Sequence, residues 1–345
     1  MGTREIRVSV KCETTKLFQW DNLDMEIIGN PTENEIRRAA KSLKDGHLVA
    51  FPTETVYGLG ADATNEIAVG RIYSVKGRPT RHPLIVHISS INQLDKWAID
   101  IPGYAIKLAQ EFWPGPMTLI LKRSDNAKNY ITGKQKSVGI RLPNNSVALA
   151  LLSNFEKLGG IGIAAPSANR FGAVSPTTSE AVCDELGNYL YSKDLILDGG
   201  QSTIGIESTI IDCTKESPSV LRFGAVTIEM IEKFTGFKIQ KNCNQNKIRV
   251  PGLMRSHYSP KAKIEINTIP KPGYGFVAMA SISTPNGVIR LASPKNIEEY
   301  AQVLYKALRD GDKRNLKIIT AIAPEGIGLA EAVRDRLVKS SAKDK

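Results

Sequence analysis

The stretch TENEIRRAAKSLKDGHLVAF, residues 32–51, holds one helix and one strand in immediate succession. Thr32 with Glu35 three positions on forms a capping box. Ile36, Ala39, Ala40 and Leu43 recur at helical spacing, and Gly46 ends the helix. The period then changes. HLVAF, 47–51, is a short continuous apolar run that reads as a buried strand entering Pro52. The alternation continues outward. Apolar runs recur at PLIVHI (83–88), TLILK (118–122), SVGIRL (137–142), GIGIAA (160–165), LILD (195–198) and STIIDC (208–213), with helical patterns between several of them. Strands interleaved with helices predict an α/β domain on a twisted mixed open sheet.

The character changes near residue 238. From Lys238 to Lys263 there are seven basic residues and no acidic one, so 238–262 reads as a linker. Beyond it, GFVAMA (275–280), GVIRL (287–291), a helix over 296–310, LKIITAIA (316–323) and a helix over 327–339 make a smaller α/β domain, 263–345. The last residues, SSAKDK, are expected to fray. Residues 1–25 stand as an extension before the first domain, 26–237.

Composition sets the class. At 345 residues, 41% hydrophobic and 23% charged, the chain is an ordinary globular protein long enough for two cores. No run approaches the roughly 20 apolar residues of a membrane helix, and the N-terminus lacks the apolar block of a secretory signal. The cytoplasm is the default. Cys12, Cys183, Cys213 and Cys243 stand far apart, which suggests reduced structural thiols rather than a zinc module or a disulfide framework. A formal charge of +11 suits an anionic ligand or partner without choosing among nucleotide, tRNA and an acidic protein surface.

Glycines, prolines, hydroxyls and cations cluster in FPTETVYGLGADA (51–63), KGRPTRHPLIVHI (76–88), WPGPMTLIL (113–121), APSANRFGAVSPTT (165–178), DGGQSTIGIESTIID (198–212) and VLRFGAVT (220–227). None is a Walker A loop, a dinucleotide fingerprint, a nucleophile elbow or a zinc-protease motif. Such loops let backbone N–H and hydroxyl groups approach phosphate, and their cations neutralise it. Parity adds a floor: in SVGIRL, Ser137, Gly139 and Arg141 share one strand face while Val138, Ile140 and Leu142 share the other. His82 and His87 are five apart, so a continuous strand sends them to opposite faces and they make no metal pair. Lys76 and Arg78 admit two readings, a solvated basic turn or an electrostatic grip.

PTETVYGLG, the K-x-R-P-x-x-x-P-L-I-V-H-I segment, WPGPMT, the S-x-x-x-R strand, APSAN with its following S-P-T, and G-x-E-S-T-I-I-D together resemble the YrdC-like threonylcarbamoyl-AMP synthases. PGLMRSHYSPKA resembles the linker of the long two-domain members, and AIAPEGIGLAEAVRDRL the end of their C-terminal, Rossmann-like domain. The resemblance covers about residues 26–342. It implies a nucleotidyltransferase that converts L-threonine, bicarbonate and ATP to L-threonylcarbamoyl-AMP and pyrophosphate. A separate transferase complex then modifies adenosine 37 of tRNA. Mg2+ is expected on the phosphates, with most of its ligands from ATP and water.

Carried over residue by residue, the resemblance implies Lys76 and Arg78 as the catalytic electrostatic pair. It implies ATP contacts at Arg78, His82, Ser137, Ser167, Ser175, Arg222 and Tyr258. Thr53, His87, Arg141, Ala165 and Ser208 fall at threonine-contact positions. His82 stands where the family usually carries Asn. Asn169 and Glu207 read as loop-ordering residues, Trp113 and Pro114 as packing, and Arg81 as surface charge. Two other readings stay open: a non-catalytic binder of tRNA or double-stranded RNA, and a carbamoyltransferase of the hydrogenase-maturation type. The latter carries CxxC pairs and an acylphosphatase-like segment, and this chain has neither.

Overall fold

The computed structural model describes residues 8–10, 15–20, 23–239, 248–252 and 257–342. The capped helix and its strand form as the sequence dictates. Helix Glu33–Lys44 starts on Thr32, whose hydroxyl accepts from the Glu35 N–H while Glu35 returns a bond to the Thr32 N–H; Ile36, Ala39, Ala40 and Leu43 are its buried face. The strands of the large sheet are β1 (Val8–Val10), β2 (Thr15–Trp20), β3 (Leu23–Gly29), β4 (Val49–Phe51), β5 (Gly58–Asp62), β6 (Ile85–His87), β7 (Met117–Lys122), β8 (Ser137–Arg141), β9 (Ile163–Ala164), β10 (Leu195–Asp198), β11 (Thr209–Asp212) and β12 (Ser219–Arg222). Their order across the sheet is β1-β2-β3-β10-β4-β5-β9-β6-β8-β7-β11-β12, with parallel and antiparallel neighbours mixed. β1, β2 and the start of β3 fall within residues 1–25, so part of that extension is a sheet edge.

The two faces of this sheet are covered unequally. One face carries Ala50, Leu59, Ala61, Val86, Ala164, Ile140, Leu119 and Leu121, packed under helices Glu66–Lys76, Gly103–Phe112, Ser179–Leu186 and Ile228–Thr235. The opposite face is covered by helices over one half only. There Glu33–Lys44 and Ser146–Lys157 pack over Val49, Phe51, Ile163, Ala165, Leu195 and Leu197. The other half, running from β6 to β12, presents polar groups. Its register aligns His87 with Arg141, Gly139 with Ile120, Thr118 with Ile210, and Ile210 with Arg222. Ser137, Gly139 and Arg141 share this face, as their parity requires.

Four parallel strands, β13 (Lys263–Ile266), β14 (Gly275–Val277), β15 (Ile289–Ala292) and β16 (Ile318–Ala321), form the second sheet in the order β13-β16-β14-β15. Helices Ile297–Lys313 and Leu329–Ser341 complete that domain. The second helix runs two residues into the SSAKDK segment that was expected to fray; 343–345 lie outside the described residues, as do linker positions 240–247 and 253–256. Cys183 and Cys213 are buried and remain thiols, while Cys12 and Cys243 lie outside the described side chains. Among the described residues, no helix is long and apolar enough to cross a membrane.

The two domains share a core. Val56, Val174 and Ile206 of the first pack with Tyr300, Leu304, Tyr305 and Val333 of the second. Arg309 pairs with Glu185 at 3.1 Å and also donates to the Val174 carbonyl. Gly205 makes the tightest approach. It has φ +82°, and a Cβ there would stand 2.4 Å from the Gln302 Cα. Gly205→Ala combines backbone strain with a clash against backbone that cannot rotate away. It should cost about 2 kcal/mol or more of stability, and it should speed proteolytic cutting within 238–262. Urea unfolding and a protease time course read both effects; wild-type values for both would contradict this account of the domain contact.

Candidate active site

A cavity lies on the half of the sheet face that the helices leave uncovered. It encloses about 550 Å³ of space between its atoms, its open mouth included. The room in it for the centres of water-sized spheres is about 50 Å³, so in this conformation the site is narrow and largely closed over. Its floor is His87, Ile85, Arg141, Ser208 and Arg222 from the sheet; the Thr53–Gly58 and Ala165–Ser167 loops form its sides. Pro251, Gly252, His257 and Tyr258 of the linker close it from above. Val250 packs with Ile120, Ile210 and Leu221, so the linker also covers the apolar end of this face.

The cations here are buried and held by oxygen atoms. Arg141 donates from Nη2 to Glu54 Oε1 and Thr55 Oγ1, both at 2.8 Å, and its Nε is buried with no partner. Arg222 donates from Nε to the Ser208 carbonyl at 3.0 Å, from Nη2 to Ser208 Oγ at 3.1 Å, and from Nη1 to the Pro251 carbonyl at 3.0 Å. A bulge in β12 opposite Ile210–Ile211 shifts the register just before Arg222. Arg78 donates to the carbonyls of Pro83 and His82 at 2.9 and 3.3 Å, and burial pushes its guanidinium down to about 10.

Polar groups without partners gather in the same place. His87 Nδ1, Arg141 Nε, His257 Nδ1 and the Tyr258 hydroxyl are all buried, unpaired, and borne by residues that line the cavity. Each such atom costs about 1–3 kcal/mol while unsatisfied. Burial, with the Arg141 charge, pushes the His87 imidazole down to about 3, and burial does the same for His257. Both rings are neutral at physiological pH, so each offers one donor and one acceptor. Tyr258 sits at φ +60° with its ring stacked on Tyr305, 5.5 Å between centroids. Gly252 is needed beside it, because a Cβ there would stand 2.3 Å from the Tyr258 hydroxyl oxygen.

Nine of the residues singled out in the sequence line this cavity: Thr53, Arg78, His87, Arg141, Ala165, Ser167, Ser208, Arg222 and Tyr258. Four do not line it, and two of these, Lys76 and Ser175, bond to residues that do. Lys76 Nζ, almost fully buried, donates to the Ser167 carbonyl at 2.6 Å and to the Asn169 carbonyl. Burial and the Arg78 charge push its ammonium well below the ordinary lysine value. Ser175 donates to Glu207 Oε1 at 2.6 Å. His82 is half-buried with its ring edge-on to Phe171, and Ser137 sits where β8 begins. Asn169 ties its loop by donating to the Arg170 and Ala173 carbonyls. Trp113 is buried and donates to the Met117 carbonyl, as a packing residue does.

Sequence reasoning missed His257 and the depth of Glu207. Glu207 lines the cavity and accepts at Oε2 from the Tyr305 hydroxyl at 2.9 Å and from Arg336 Nε at 2.8 Å. Burial alone would raise its carboxyl; the Arg336 and Arg222 charges outweigh that and hold it down at about 2. With both oxygens engaged it is not free to bind a cation. Among the described residues no three His, Cys, Asp or Glu side chains stand close enough together to hold a metal ion. A protein-built Mg2+ cage therefore does not fit this cavity.

Residues 41–224 match the family profile described as "Telomere recombination" (Sua5, YciO and YrdC), and 226–342 match the "Threonylcarbamoyl-AMP synthase, C-terminal domain". The chain is 39% identical to the threonylcarbamoyl-AMP synthase of Pyrococcus abyssi over 92% of its own length and 98% of that protein's. It is 37% identical to the threonylcarbamoyl-AMP synthase of Bacillus subtilis, over 89% and 93%. It superposes on the crystal structure of P. abyssi Sua5 complexed with L-threonine with a TM-score of 0.82 at 38% identity, covering 91% of this chain and 97% of that one. With both domains matched in order and over nearly their whole length, the chain belongs to the two-domain threonylcarbamoyl-AMP synthase family.

Proposed function

We propose that the chain makes L-threonylcarbamoyl-AMP from L-threonine, bicarbonate and ATP in this cavity. The observation that carries the location is the set of four unpartnered buried polar atoms, at His87 and Arg141 on the cavity floor and at His257 and Tyr258 on the linker above it. Thr53, His87, Arg141, Ala165 and Ser208 take the threonine. The Arg141 guanidinium, with Nε unspent, meets its carboxylate, and neutral His87 serves as a hydrogen-bond partner rather than a charge. Arg78, Ser167, Arg222 and Tyr258 take ATP. His82, Ser137 and Ser175 complete the ATP set; none lines the cavity in this conformation, so their contact requires the mouth to open. Lys76 stands directly behind Ser167 and holds that residue's carbonyl through Nζ.

The proton transfers of the reaction go to solvent or bicarbonate, and the phosphoryl step itself asks for charge stabilisation rather than a general base. The threonine amine, once its ammonium proton has left to solvent, adds to carbon dioxide and releases a second proton to become a carbamate; from bicarbonate the same carbamate forms with loss of water. A carbamate oxygen attacks the α-phosphorus of ATP, and the bond to the β,γ-pyrophosphate breaks. Charge grows on the leaving pyrophosphate and at the α-phosphorus. Guanidinium groups already fixed by carbonyl oxygens stabilise it without reorganising. The linker limits water, which would hydrolyse both the carbamate and the mixed anhydride. Mg2+ enters as the ATP complex, with ligands from phosphate and water rather than from a protein cage. The product serves a threonylcarbamoyl-transferase complex acting on adenosine 37 of tRNA, in the cytoplasm, and the chain's positive charge favours an encounter with tRNA. Residues 26–237 are the catalytic unit, 238–262 the linker and 263–345 the accessory domain.

Incubation of the full chain with ATP, bicarbonate and labelled threonine should release pyrophosphate only when threonine is present, and should give an acid-labile AMP adduct. ATP-independent RNA binding with no adduct would remove the synthase reading. Arg141→Lys keeps a charge near Glu54 but loses the planar fork. It should raise the KM for threonine about tenfold or more, and change the KM for ATP far less. Equal shifts in both constants would take Arg141 off the threonine site.

A further inference from the structure

The C-terminal domain reaches the cavity wall through two side chains. Arg336, on helix Leu329–Ser341, is completely buried. Its Nε donates to Glu207 Oε2 at 2.8 Å, its Nη2 to the Phe223 carbonyl at 2.9 Å, and its Nη1 to Asp335. Its guanidinium also lies 5.2 Å from the centre of the Tyr258 ring. Tyr305, on helix Ile297–Lys313, donates to the same carboxylate oxygen at 2.9 Å and stacks on Tyr258. We propose that Arg336 and Tyr305 are positioning residues of the synthase reaction, acting through Glu207 and Tyr258 on the wall of the ATP subsite.

Charge makes this more than domain glue. Glu207 is the sole carboxylate among the described residues lining the cavity. A carboxylate there repels a triphosphate unless a cation stands behind it, and Arg336 is that cation. Buried ion pairs add little net stability compared with apolar packing, so stability alone is a weak reason for this one. The same guanidinium holds the backbone at Phe223, next to Arg222, and underlies Tyr258 in the linker. Three pieces of the wall, from β12, the Glu207 loop and the linker, thus take their position from one side chain of the other domain. This inference rests on ATP occupying the cavity as proposed above.

The test uses full-length Arg336→Gln, Tyr305→Phe, Glu207→Gln and the Arg336→Gln/Glu207→Gln double variant. Threonine-dependent pyrophosphate release is measured at a temperature where circular dichroism shows each variant folded. Arg336→Gln, which leaves the Glu207 charge uncompensated, should raise the KM for ATP about tenfold, and that for threonine much less. Tyr305→Phe should raise it about two- to fivefold. Adding Glu207→Gln to Arg336→Gln should bring the KM for ATP back toward the wild-type value, a rescue that loss of packing alone does not produce. A folded Arg336→Gln and Tyr305→Phe with unchanged KM for ATP would overturn the proposal, as would a double variant weaker for ATP than Arg336→Gln. Should Arg336→Gln not fold, Tyr305→Phe decides alone on the same criterion. A wild-type chain without product sinks the synthase reading itself, whereas an active wild type with unmoved variants sinks only this inference.

Discussion

The constraint on which the rest depends is the unequal cover of one sheet. Two helices shield only half of the face that carries His87, Arg141, Ser208 and Arg222. A sheet face left bare must be polar, or must be covered by something else. This chain does both. The strands from β6 to β12 place hydroxyls and guanidinium groups on the bare half, and the linker lays Val250 and Tyr258 across it. The cavity is what remains between floor and cover. The site is therefore a consequence of where two helices stop.

Burying so much positive charge would be costly without partners, and the chain supplies them from its own backbone. Carbonyls of Pro83, Ser167, Asn169, Ser208, Phe223 and Pro251 receive donors from Arg78, Lys76, Arg222 and Arg336. A carbonyl satisfies a donor without cancelling its charge, so the cations stay available as a field toward the cavity. Arg141 and Arg336 differ, because each answers a carboxylate, Glu54 and Glu207. Those two pairs tie separate parts of the site. One joins β8 to the Thr53–Gly58 loop, and the other joins the two domains.

Local elements were legible because local rules set them. The Thr32–Glu35 box, the apolar runs and the parity of Ser137, Gly139 and Arg141 need only near neighbours. The motifs found most of the cavity wall for the same reason: each is a short loop at a strand end. Sheet order was not legible, since β9 lies between β5 and β6 although more than 70 residues separate it from either. Lys76 shows where a motif stops short. Its ammonium is pinned behind the wall by two carbonyls about 90 positions away. Arg336 and Tyr305 were invisible for a stronger version of this reason. They meet Glu207 across 129 and 98 positions, and although Arg336 falls within AIAPEGIGLAEAVRDRL, no local spacing shows that either side chain reaches the other domain.

The central claim is that both substrates meet on the bare half of the large sheet, beneath the linker. Its most direct test is a crystal structure of the full chain with L-threonine and a non-hydrolysable ATP analogue. The account predicts threonine density against Arg141, His87 and Ser208, with the triphosphate beside Arg78, Ser167 and Arg222. The second domain has a crevice of its own, beside Asn267, Pro324 and Arg334. Analogue density there, with the sheet face bare, would contradict the account.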